Sequence, residues 1–141
     1  MSQYLNFFIR RNDSFIFIAD YSRSTKVYEE THAPYGKIRK FDTQELRDIA
    51  ARLQEDIAFY EKQNDYAHQK LEAILRANNS IEEKLDIIDS VYDYIEENDN
   101  EIKIIGRYAA EINFTANISE ECPIYAGIEI NDPTEKDIVR G

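Results

Sequence analysis

The sequence predicts an α+β fold, a small antiparallel β-sheet packed against a long antiparallel helical hairpin. Three observations carry that expectation. The N-terminal stretch is aromatic and β-branched, the composition of strands. A row of mostly apolar residues in alternating steps of three and four runs from Ala50 to Ile102, the period at which helices wrap one another. The charge balance reverses where the period changes: residues 1–41 carry seven basic and four acidic side chains, residues 42–141 ten and twenty-four. The 141 residues are enough for one domain with its own core, unaided by metal or disulfide. Within it, 1–41 form a β-hairpin layer, 42–114 a helical hairpin turning at 78–80, and 115–141 a C-terminal strand and tail.

Each element follows from its residues. Tyr4–Ile9 and Ser14–Ala19 are strand-like runs around the polar break Arg10–Asp13, which predicts an antiparallel hairpin. Both runs are apolar at consecutive positions, so both faces of the sheet need cover. Two strands alone are marginal. The run Pro123–Ile130 predicts the third. Ser24–Thr31 suggests a short helix ended by Ala33-Pro34-Tyr35-Gly36.

Asp42, with Glu45 three residues on, has capping-box spacing, and Phe41 and Leu46 are placed to close a hydrophobic staple. The first long helix therefore begins at Thr43. Its seam reads Ala50, Leu53, Ile57, Tyr60, Asn64, Ala67, Leu71, Ile74. The seam then continues as Ile81, Leu85, Ile88, Tyr92, Ile95, Asp99, Ile102. Asn78-Asn79-Ser80 interrupts it: asparagine tolerates a helix end, and Ser80 with Glu83 caps a new helix. The chain is expected to reverse there. Asn98–Glu101 repeats the capping spacing, an expected bend. Gly106 suggests a close helix crossing, and Asp132-Pro133-Thr134-Glu135 a short terminal helix.

The chemistry available excludes more than it offers. The formal net charge is −11, a poor match for nucleic acid or an anionic membrane. The four glycines lie at 36, 106, 127 and 141, which leaves no phosphate-binding loop. Cys122 is the single cysteine, and His32 and His68 lie in different elements, so no cofactor motif and no metal motif is present. No stretch reaches the length of a membrane-spanning helix, and the N-terminus lacks a leader pattern, so cytoplasmic residence is expected.

Two patterns remain. Glu82, Asp86, Asp89, Asp93 and Glu96 share one helix face, readable as a solvated face, a surface for a basic protein partner that imitates nucleic-acid phosphates, or a cation site. Ile87, Val91 and Tyr94 form a second apolar stripe beside the seam, as do Phe59 and Tyr66 on the other helix. Buried large apolar side chains contribute about 1.5–3 kcal/mol each. A monomer seldom leaves two such stripes wet. The expected protein is a non-enzymatic, self-associating binding or scaffold module, most simply a two-fold dimer whose hairpins make a four-helix bundle with these five residues at the contact. The alternatives are an acidic inhibitor of a nucleic-acid-handling protein, and a metal-dependent enzyme assembled from carboxylates and histidines at an oligomer interface.

Overall fold

The computed structural model describes residues 4–22 and 36–139. The element order is β1 (Leu5–Arg11), β2 (Ser14–Tyr21), β3 (Arg39–Phe41), α1 (Thr43–Arg76), α2 (Ile81–Ser119), β4 (Ile124–Ile128) and a 3-10 turn at Glu135–Asp137. The short helix expected at Ser24–Thr31 lies outside the described residues. The chain divides into two compact units, one of residues 1–52 and 108–141, the other of residues 53–107.

The first unit holds an antiparallel sheet of order β2-β1-β4-β3. The β1–β2 turn is tighter than the sequence suggests. Arg10 and Arg11 stay in the strand, and only Asn12-Asp13 turn, with Asn12 at φ 58° in the left-handed region that asparagine tolerates. Phe7 faces Ala19 while Phe8 faces Phe17, so Ile18 is an extra residue that bulges the edge strand β2. The C-terminal strand joins as expected: β4 pairs with β1 from Leu5↔Ile128 to Ile9↔Ile124. It lies at the centre of the sheet, and all five of its residues are buried. Strand β3 was not foreseen; three residues are too few for a period-2 signal.

Helices cover one sheet face. Leu5, Phe7, Tyr21, Phe41 and Ile124 are buried, as are Leu46 and Ile49 of α1 and Tyr108, Ala109 and Ile112 of α2. The Tyr21 and Tyr108 rings meet edge to face at 5.7 Å. The start of α1 and the end of α2 are tied by the Thr43 and Ser119 hydroxyls, 2.6 Å apart, and by the Arg47–Glu120 ion pair at 3.0 Å. The other face buries Phe8, Ile38 and Tyr125 beneath Ile130 and Ile138. Here residues 130–139 form a strap. Asn6 Nδ2 donates to the Ile130 carbonyl at 2.9 Å, the Ile38 N–H to Asp137 O at 2.8 Å, and the Val139 N–H to Ile38 O at 2.7 Å. Gly127 makes this possible. A β-carbon there would lie 2.3 Å from the Lys37 carbonyl oxygen, so only glycine lets the crossing segment approach. The terminal helix reduces to the 3-10 turn capped by Thr134.

The start of α1 is capped as its residues suggest: Asp42 Oδ1 accepts from the Glu45 N–H at 2.8 Å, and Phe41 and Leu46 are both buried. The second unit is a helical hairpin. Its chain breaks at Ala77–Ser80, and Ser80 Oγ accepts from the Glu83 N–H at 3.2 Å to start α2. On α1 the seam lies where the periodicity puts it, with Leu53, Ala67 and Leu71 buried. On α2 it lies one row over. Val91 packs with Ala67 and Leu71, flanked by Ile74, Ile88 and Ile95. Leu85 and Tyr92, expected in the seam, are more than half exposed. Val91 fits beside the small Ala67, where the larger Tyr92 ring would not, and the Tyr92 hydroxyl keeps access to water. Helix α2 is continuous through Asn98–Glu101, so the expected bend is absent. Nothing lies within 4 Å of a β-carbon placed on Gly106, so the expected close crossing there is absent too.

Candidate interaction surface

The antiparallel pairing of α1 and α2 fixes which side chains share a flank of the hairpin. In such a pair, positions just before the seam on one helix lie on the same side as positions just before the seam on the other. On α1 those positions are Phe59, Gln63, Tyr66 and Lys70; on α2 they include Ile87 and Tyr94. The geometry agrees. Tyr94 donates its hydroxyl to Gln63 Oε1 at 3.2 Å. Gln63, Tyr66, Ala67, Lys70, Val91 and Tyr94 line a groove of about 300 Å³.

Four of the five residues expected at an oligomer contact stand exposed around this groove or along its flank. Phe59 is 58% exposed, Tyr66 52%, Tyr94 42% and Ile87 38%. The fifth is a correction: Val91, at 5%, belongs to the hairpin seam and contributes only the floor of the groove. It sits one helical step from Ile87 and Tyr94 in sequence pattern, but the seam row on α2 runs through it. Phe59 meets its neighbour Tyr60 edge to face at 5.5 Å. Lys62 lies 5.9 Å from the centre of the Tyr66 ring, within cation–π reach. The sequence reading missed Gln63, Lys62 and Lys70 as parts of this surface. Their signal was available, since both lysines lie four residues from Tyr66 and so share its face.

The acidic residues Glu82, Asp86, Asp89, Asp93 and Glu96 are all exposed. They follow the back of α2, opposite the seam, with the row of Ser90 and Glu97 between them and the flank of Ile87 and Tyr94. Among the described residues, no group of three or more His, Cys, Asp and Glu side chains is placed to hold a metal ion. His68 is exposed on α1, and His32 lies outside the described residues. Cys122 is half-buried in a cleft of about 310 Å³ beside Thr43 and Ser119, whose hydroxyls are bonded to each other. Arg10 is held above its ordinary pKa, chiefly by its hydrogen bond to the Tyr125 hydroxyl, against desolvation and with help from nearby Glu135. This arginine clamps the strap to the sheet: it reaches Tyr125 Oη at 3.1 Å and Glu135 Oε1 at 2.5 Å. Its role there is structural. None of the helices among the described residues is long and apolar enough to cross a membrane.

The chain matches no protein-family model, no curated protein and no solved structure.

Proposed function

We propose that this chain is a non-enzymatic scaffold module that works as a homodimer, with the hairpin flank as its contact. The supporting observation is the exposure of Phe59, Tyr66, Ile87 and Tyr94 along one side of the hairpin, around a groove floored by Val91. Exposed aromatic rings beside a groove are the composition of interface cores, where large rigid side chains bury much area at small cost in entropy. Light scattering from nanomolar to hundred-micromolar protein tests the reading. Dimer mass is expected in the micromolar range, with monomer mass for Tyr66→Glu/Tyr94→Glu. Monomer mass for the unmodified chain throughout rejects it.

A second reading has its own observation. All five acidic residues of the α2 row are exposed and follow one face, as a surface for a basic protein partner requires. Such a complex would weaken steeply with salt and with Asp86→Gln/Asp89→Gln/Asp93→Gln. Retention of the captured partner after both treatments would reject it.

A further inference from the structure

We draw no further inference here: the strongest candidate, the outer edge of the sheet at β2 with its half-exposed Ile16 and Phe17, carries nothing because nothing in the structure shows what covers it.

Discussion

Asn98 donates its side-chain amide to Asn64 Oδ1 at 2.9 Å across the hairpin, and Asn64 donates in turn to Asp99 Oδ1 at 2.9 Å. This is a polar layer in an otherwise apolar seam, and Asn98 is buried in it. A heptad seam lets one helix slide along the other by a turn with little loss of apolar contact. A buried amide pair penalises that slip, because a shifted Asn98 loses its partner. Asn98→Ala is expected to lower stability by about 1–2 kcal/mol in urea unfolding. Asn64→Leu/Asn98→Leu is expected to be neutral or stabilising, while spin labels on Gln69 and Asp86 should broaden from one distance to more than one. A single sharp distance in the double variant would show that the amides do not set register.

Two glycines make opposite predictions. Gly127→Ala drives a methyl into the Lys37 carbonyl oxygen and the Ile38 side chain and is expected to cost about 1–3 kcal/mol or more, with faster amide exchange at Ile38 and Val139. Gly106→Ala adds a methyl to a helix interior where nothing lies within 4 Å, and is expected to raise stability by about 0.5–1 kcal/mol. Thermal melts of the two variants check both signs.

The strap over the second sheet face should hold at alkaline pH. Arg10 binds Glu135 and Tyr125 in its charged form, and its folded pKa lies above the ordinary arginine value. A raised pKa contributes stability that is fully present below the unfolded value and fades only as pH rises through the folded one. Amide protection at Ile138 and Val139, corrected for intrinsic exchange, is therefore expected to stay constant between pH 7 and about pH 10. Arg10→Met should lower that protection selectively, because it removes the ion pair and the hydrogen bond while Phe8, Ile38 and Tyr125 keep their apolar cover. Equal protection in the variant would show that the backbone bonds hold the strap alone.

The sequence disclosed the elements better than their faces. Caps at Asp42 and Ser80 are local, read over four residues, and both helices start at them. The first seam row was legible because its apolar positions leave no second choice on α1. On α2 two rows share Ile88, Ile95 and Ile102. They differ only in whether Leu85, Tyr92 and Asp99 or Val91, Asn98 and Ile105 fill the alternate positions. Hydropathy leans to the second row, because Ile105 stands where the first row has Asp99, and the facing helix agrees with it: small Ala67 admits Val91, and Asn64 supplies a partner for Asn98. Information of that kind lies in the pairing and not in either helix alone. For the same reason, four of the five candidate contact residues are exposed on the flank and one is not. Strand β3 and the strap were illegible for a related cause, since their hydrogen bonds join residues about a hundred positions apart.

The placement of Val91 changes what a charge there would do. On an outer stripe, Val91→Glu would separate two copies and leave each hairpin intact. In the seam, the carboxylate would be packed against Ala67 and Leu71, at the floor of the groove that Lys70 lines. A charge set among apolar side chains is expensive, so the variant is expected to lose about 3 kcal/mol and to melt the hairpin. Tyr94→Glu and Ile87→Glu place the same charge on the exposed flank and should leave the fold unchanged. Far-ultraviolet circular dichroism and light scattering on the three variants distinguish these outcomes. Loss of helix with Val91→Glu alone, and loss of dimer with the other two at full helix content, is the expected pattern. A folded Val91→Glu hairpin would place Val91 outside the seam and restore the other α2 row, with Leu85 and Tyr92 facing Ala67 and Leu71. The flank would then be Ile87, Val91 and Tyr94 together, and the groove between Tyr66 and Tyr94 would lose its floor.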